Sequence, residues 1–261
     1  MPLAGRILVP LNARLAQAEW RYQLEHTDCQ VLLVAPDLLH RLNRDQLPQD
    51  LRIIVLDQDY EDWLQANELA ELPAIGVNDI AWILFTSGST GRPKGAMLSH
   101  AGFMAGLVSA AQARPVDQSD RYYYPFPLFH VAAHNVLLQH RYGASVVLSP
   151  AFDAADTLQA CRTLGVTTMS LAPTMIAMML DHPDFTPNDL AGVTTIGYGA
   201  SAMPSSLLQR LLTQTEVGLC QSYGMTELCG SVAFLTVQDH RRAMQEPQLL
   251  ASVGKPLPVS Y

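Results

Sequence analysis

Residues 145–181 read SVVLSPAFDAADTLQACRTLGVTTMSLAPTMIAMMLD, and this stretch sets the fold class. Two short runs rich in β-branched and apolar residues, 145–149 and 166–171, alternate with two helical patterns, 154–164 and 173–181. Gly165 stands just past the end of the first helix and Pro173 in the first turn of the second, each where its backbone preference is favourable. Strands that alternate with helices of this length belong to a parallel sheet wrapped by helices, which predicts an α/β fold with parallel β-sheets flanked by helices.

The same alternation extends to both sides. Toward the C-terminus, strands are expected at 193–197 and 217–222, with a helix at 205–213 between them. Toward the N-terminus, a strand at 81–86 precedes a helix at 100–112, and further strands are expected at 7–10, 31–35 and 53–56 with a helix at 16–27. Residues 57–80 hold seven acidic side chains and no basic one, with Pro73 and Gly76 near the end, so the stretch reads as a solvated connection. This divides the chain into an N-terminal α/β subdomain over 1–75 and a second α/β subdomain over 76–261. No internal repeat is visible.

Composition removes several classes of function. The 261 residues are 49% apolar and 15% charged, enough for a large core and far from a disordered composition. Sixteen basic residues stand against twenty-four acidic ones, and only two of the basic residues are lysines, Lys94 and Lys255. No basic stripe is available to neutralise phosphodiesters, so nucleic acid is not an expected partner. Cys29, Cys161, Cys220 and Cys229 show no CxxC spacing and read as reduced thiols. No apolar run reaches the length of a membrane span, and the first residues lack the pattern of a signal peptide, so a soluble, cytoplasmic protein is expected.

Chemistry concentrates at residues 86–95, TSGSTGRPKG, between the apolar run AWILF and the helix that Ser99 is placed to cap. Three glycines and four hydroxyl residues in ten positions suit no core. Glycine lets successive N–H groups turn into one concavity, hydroxyls add donors, and Lys94 supplies a mobile positive charge, which together suit a polyphosphate. The pattern is not a Walker A loop, because Lys94 follows Pro93 and precedes Gly95 rather than Ser or Thr.

Extended to residues 83–100, ILFTSGSTGRPKGAMLSH resembles the signature of the adenylate-forming superfamily, which includes acyl-CoA synthetases, luciferases and the adenylation domains of peptide synthetases. Further segments resemble the family's motifs in the same order: RILVPLNARL at 6–15, PLFH at 127–130, IGYGAS at 196–201, QSYGMTE at 221–227 and VGKPLP at 253–258. The resemblance covers nearly the whole chain and is greatest to fatty and medium-chain acyl-CoA synthetases.

The resemblance implies a reaction in two halves, in which a carboxylate attacks the α-phosphate of ATP to give an acyl-adenylate and the thiol of CoA then displaces AMP. It implies a phosphate cradle made by Thr86, Ser87, Gly88, Ser89, Thr90, Gly91, Lys94 and Gly95, with Lys94 on the outer phosphates. Glu227 and the Thr86 hydroxyl would hold Mg2+, an ion that takes oxygen ligands. Thr226 would meet the α-phosphate, Tyr223 would lie against adenine within the Gln221, Gly224 and Met225 segment, and Gly199, Ala200 and Ser201 would form the opposite adenine wall. His130, with Val131, Tyr198 and Gly224, would line the acyl end. Glu227 as a surface acid and Tyr223 as a core aromatic remain open on the residues alone.

His130 and His134 have the i,i+4 spacing of zinc ligands, but Val-Ala-Ala between them carries no HExxH glutamate, so zinc is not expected. Amino-acid adenylation domains usually place a carboxylate near the gate, where this chain has Phe129 and His130, so the expected substrate is a fatty or other apolar carboxylic acid. Met169, Met175, Met178 and Met179 are either plain core or the wall of an acyl tunnel.

Family members continue past the VGKPLP segment to a ribose-binding aspartate and a small lid domain bearing a catalytic lysine. Neither Lys94 nor Lys255 matches that lysine, and no Gly-Asp dipeptide occurs. The expectation is therefore the incomplete large-domain core of an acid–thiol ligase, weakly active alone and possible as a homodimer in its full-length parent. The alternative is a non-catalytic nucleotide- or acyl-binding protein that keeps the site without the lid.

Overall fold

The computed structural model describes residues 2–65, 71–86 and 91–256, and the chain divides into two units, one through Met97 and one from Leu98. The first unit contains α1 (Gln17–His26), β1 (Val31–Val34), α2 (Pro36–Leu39), β2 (Arg52–Val55), α3 (Tyr60–Gln65), β3 (Ile80–Thr86) and the start of β4 (Lys94–Ser99). β1 and β2 pair in parallel, from Val31 opposite Arg52 to Val34 opposite Val55. Leu24, Leu47 and Leu51 are buried in the core of this unit, with Leu32 and Ile53 of the two strands packed on them. α1 opens with a carboxylate on its unsatisfied donors, since Glu19 accepts the Ala16 N–H at 3.0 Å.

β3 and β4 form a separate two-stranded sheet. The expected strand at 7–10 is reduced to one parallel bridge, Leu8 to Trp82, in which Leu8 donates to the Ala81 carbonyl and accepts from Ile83, both at 2.9 Å. Gly5 at a φ of +67° and Pro10, which has no N–H to donate, leave too little chain between them for a ladder. Within the expected connection at 57–80, Tyr60–Gln65 is helical, with the Tyr60 and Trp63 rings 6.0 Å apart.

The second unit contains α4 (His100–Ala113), β5 (Arg121–Tyr124), α5 (His134–Arg141), β6 (Ser145–Leu148), α6 (Ala154–Leu164), β7 (Thr168–Ser170) and α7 (Pro173–Leu180). It continues with β8 (Thr195–Gly199), α8 (Ser205–Gln214), β9 (Gly218–Met225), β10 (Gly230–Leu235), α9 (Val237–Ala243) and β11 (Lys255–Pro256). The strands form one sheet in the order β11-β10-β9-β8-β7-β5-β6. From β9 to β6 all neighbours are parallel, while β10 and β11 add to the β9 edge antiparallel. Met169, Ile196 and Leu219 carry one face of the sheet into a core shared with Leu158, Ile176, Met179, Leu208 and Leu211 of the covering helices. Each such side chain contributes roughly 1.5–3 kcal/mol by leaving water.

Local signals account for most element ends. Ser99 accepts the Gly102 N–H at 3.2 Å and so caps α4. Asp153 caps α6 by accepting from Asp156 at 3.0 Å, and Gly165 ends it in the left-handed region. β5 is a central strand whose three tyrosines are at most 2% exposed, a burial that requires each hydroxyl to find a partner. Tyr122 donates to Ser170 at 2.6 Å, Tyr123 pairs with the Thr157 hydroxyl at 3.1 Å, and Tyr124 donates to the Pro127 carbonyl at 3.5 Å.

Of the four methionines at 169–179, Met169 and Met179 are fully buried in the core, Met175 packs against it and Met178 is exposed. All four cysteines are free thiols. Among the described residues no helix is long and apolar enough to cross a membrane, and no cluster of His, Cys, Asp and Glu suits a metal ion.

Candidate active site

The chain leaves β5 for β6 on one side, yet β7 pairs with β5 on the other side. Such a reversal parts the connections that leave the strands' carboxyl ends, and open α/β sheets place their ligand crevice there. A cavity of about 680 Å3 occupies this position in the second unit. Its walls come largely from the carboxyl ends of the parallel strands and the turns beyond them: Tyr124, Phe126, His130 and Val131 after β5, Ser170 to Ala172 at β7, Gly197 to Ala202 at β8 and Cys220 to Gly224 at β9.

These walls bring together most of the residues singled out in this half of the sequence. His130, Val131, Tyr198, Gly199, Ala200, Ser201, Gln221, Tyr223, Gly224 and Thr226 all line the one cavity. His130 is exposed, with its ring 4.5 Å from that of Phe129, and precedes the short turn Val131–Ala133. α5 starts only at His134, so His130 and His134 are not neighbours on one helical face. His134 is buried, its Nδ1 paired with the Val131 carbonyl at 2.9 Å, and burial pushes its pKa down to about 4. It is therefore a neutral strut beneath the turn that presents His130.

Tyr198 contributes to the wall, but its hydroxyl belongs to the interior. It is hydrogen-bonded to His240 Nε2 at 2.7 Å and to Gln221 Oε1 at 3.3 Å, and burial pushes its pKa up. The next two positions break regularity: Gly199 ends β8, and Ala200 adopts a φ of +65°. A non-glycine residue in the left-handed region costs about 1–2 kcal/mol, and such strain concentrates where backbone must face a ligand. A Cβ on Gly199 would stand 2.8 Å from the Ser222 carbonyl oxygen, so β8 and β9 approach too closely there for any side chain.

β9 and β10 make the hairpin that carries QSYGMTE. Tyr223 and Met225 are half-exposed, and Thr226 and Glu227 begin the short helical turn Thr226–Leu228, in which Glu227 is exposed. Cys229 and Gly230 both take positive φ to close it. α4 supports the hairpin from beneath through two small residues. A methyl on Gly102 would lie 2.9 Å from the Cys229 sulfur, and one on Gly106 would lie 2.7 Å from the Cys229 carbonyl oxygen.

The loop residues belong to the first unit. Thr86 ends β3, Gly91 has a φ of +88° with open space around its Cβ position, and Lys94 is exposed at the start of β4. A side chain on Gly95 would meet Ile83 at 2.8 Å, so this glycine is required by the packing of β3 against β4. Ser87, Gly88, Ser89 and Thr90 lie outside the described residues.

The cavity's charge is unusual. Among the described residues none that lines it is acidic, and its one arginine, Arg114, is 9% exposed at the end of α4. Sequence reasoning passes over Arg114, since an arginine before a proline at a helix end looks like an ordinary solvated terminus. Ser170 and Asn135, which hold it, carry no motif either.

The second unit thus combines a parallel sheet that has a crevice at its switch point with a strained Gly-Ala turn and a threonine-bearing hairpin. The chain belongs to the AMP-binding enzyme family, whose model matches residues 1–261. It is 32% identical to the 2-succinylbenzoate–CoA ligase of Bacillus licheniformis over 258 residues, 98% of this chain and 50% of that protein. It is 28% identical to the long-chain-fatty-acid–CoA ligase FadD13 of Mycobacterium tuberculosis over 249 residues, 91% of this chain and 48% of that protein. The O-succinylbenzoate coenzyme A synthetase of Bacillus subtilis, solved in complex with ATP and a magnesium ion, superimposes with a TM-score of 0.76 at 28% identity, covering 95% of this chain and 49% of that one. The chain thus spans about half the length of the curated relatives it matches.

Proposed function

We propose that this chain is the nucleotide- and acid-binding core of an ATP-dependent acid–CoA ligase. The observation that carries this reading is the cavity at the switch point of the sheet lined by His130 of PLFH, Gly197 to Ser201 of IGYGAS and Gln221 to Gly224 with Thr226 of QSYGMTE, with no acidic residue among the described residues of its walls. In the first half-reaction a carboxylate oxygen bonds to the α-phosphorus of ATP while the bond to the pyrophosphate oxygen breaks, so the leaving charge stays on pyrophosphate. No nucleophile from the protein is needed. The protein's task is to align the two anions and offset their charge. CoA then attacks the acyl carbonyl through its thiol and releases AMP.

The roles follow from side-chain chemistry. Lys94, a mobile point charge, serves the outer phosphates together with the 86–95 loop. Thr226 serves the α-phosphate, Tyr223 offers a flat face to adenine, and the Gly199-Ala200-Ser201 turn forms the other wall, open because Gly199 tolerates no side chain. Exposed Glu227 and the Thr86 hydroxyl supply oxygen donors of the kind Mg2+ takes, and that ion would offset phosphate charge. His130 and Val131 face the acid.

A wall without carboxylates offers nothing to a substrate ammonium, which favours organic acids over amino acids. Both a 2-succinylbenzoate ligase and a long-chain-fatty-acid ligase are among the relatives, so the acid has an apolar body of either aromatic or aliphatic kind. The test is acid-dependent exchange of labelled pyrophosphate into ATP by the intact protein, across a panel of organic and amino acids. Exchange with organic acids is expected. Exchange with amino acids only overturns the substrate class, and ATP binding without acid-dependent exchange favours a non-catalytic binding protein.

A further inference from the structure

Arg114 lies in the cavity wall, and among the described residues it has no counter-ion. Its Nη1 donates to Ser170 Oγ at 3.2 Å, Nη2 donates to Asn135 Oδ1 at 3.1 Å, and the guanidinium carbon stands 5.3 Å from the centre of the Tyr122 ring. Among the described residues no carboxylate lies within ion-pairing distance of it. The titratable groups that sense its charge are Tyr122, Cys220 and His134. Burial pushes the tyrosine hydroxyl and the cysteine thiol up and the imidazole down, so all three are neutral near pH 7.

A guanidinium cannot escape burial by losing its proton, because it stays charged at any physiological pH. Its partners are all neutral, Ser170 and Asn135 with the Tyr122 hydroxyl beside them, and the carboxyl end of α4 adds only a partial negative charge. A guanidinium on a cavity wall with only neutral partners gains most from an anion that reaches it there.

The position of the charge indicates where that anion comes from. A Cβ built on Gly197 would stand 1.8 Å from Nη1, so the guanidinium lies directly against the bare backbone of β8. Gly197 and Gly199 are two residues apart on one strand and share a face, which places the guanidinium about 6–7 Å along β8 from the turn assigned to the nucleotide. Asn135, which holds the guanidinium, also donates to the Ala132 carbonyl at 3.0 Å in the turn that follows His130, so the cation stands on the side of the cavity assigned to the acid.

We propose that Arg114 recognises a second carboxylate on the substrate, so that the preferred acid is a dicarboxylic acid with one carboxylate activated and the other paired to Arg114. The proposal rests on the reading of this cavity as an acid-activating site. A carboxylate fits better than a neutral acceptor, because only an anion discharges the guanidinium and its two oxygens match the parallel N–H groups of the fork.

The test is calorimetry on the protein with straight-chain monocarboxylic acids and the α,ω-dicarboxylic acids of the same length, from four to ten carbons, with ATP–Mg2+ titrated alongside. At one or more lengths the diacid should bind at least about tenfold tighter than its monoacid. Arg114→Met should abolish that preference, and Arg114→Lys, which keeps charge but not the fork, should retain part of it. Gly197→Ala, which displaces the guanidinium without removing it, should lower the preference as well, and thermal melts of the three variants separate this loss from misfolding. Equal binding of both acids at every length, or a preference that survives in Arg114→Met, overturns the proposal. ATP binding with no diacid preference overturns this proposal alone, whereas a protein that binds neither ATP nor any acid overturns the acid-activating reading beneath it.

Discussion

The carbonyl oxygen of Gly230 fills the space that a side chain on Gly224 would need: a Cβ built on Gly224 lies 1.9 Å from it. The glycine of QSYGMTE is therefore fixed by the contact between β9 and β10 before any ligand arrives. Gly224→Ala must part the two strands, and overpacking of this kind costs about 1–3 kcal/mol. A lower unfolding midpoint in urea and a loss of AMP affinity are expected together. An unchanged midpoint would show that the hairpin yields without cost.

Lys94 is assigned to the outer phosphates, so its removal should be felt unequally by nucleotides. Lys94→Ala is expected to weaken ATP by about tenfold or more, the scale of one charge-assisted contact, while AMP changes little. Isothermal titration with both nucleotides checks this. Equal losses would move Lys94 to the α-phosphate or to a structural role.

Glu227 is exposed on the short turn after β9, where a carboxylate can reach a metal without a burial cost. Glu227→Gln keeps the shape and removes the charge. The variant should need more Mg2+ for half-saturation with ATP and should bind AMP in EDTA as the wild type does. A metal titration that superimposes on the wild type would assign the ion elsewhere.

His134 makes stability depend on pH. Its folded pKa is held near 4 against an ordinary value of 6.5, so the unfolded chain takes up the proton first. Its contribution is complete above pH 6.5 and is lost as pH falls toward 4, on the order of 2 kcal/mol between pH 7 and 5. His240, also held down by burial, acts in the same direction. Denaturant melts of His134→Gln should show a shallower fall over this range than the wild type. Superimposable pH profiles would show that His134 protonates as readily folded as unfolded.

Periodicity made α1, α4, α6, α7 and α8 legible, and Gly165, Pro173 and Ser99 mark helix ends by rules that act within a few residues, whereas α5 was missed. β5 escaped the same scan. RYYY alternates nothing, and its burial is compatible with three hydroxyls only because Ser170 and Thr157 arrive from distant segments while Pro127 is met three residues on. β4, β10 and α9 were likewise hidden, β4 because a glycine- and hydroxyl-rich stretch reads as loop. The motif residues that line the cavity were legible through resemblance to a family. Arg114 was not, since its meaning depends on Ser170 and Asn135, which arrive from a distant strand and helix.

The seat of Cys229 against Gly102 and Gly106 turns that thiol into a clock. Burial raises its pKa and slows it as a nucleophile, and the contact with α4 closes one side of its sulfur. A maleimide should add fastest during intervals when the hairpin stands away from the helix. The rate at which the protein gains that mass then counts those intervals, and a nucleotide that pins the hairpin should lengthen the time between them.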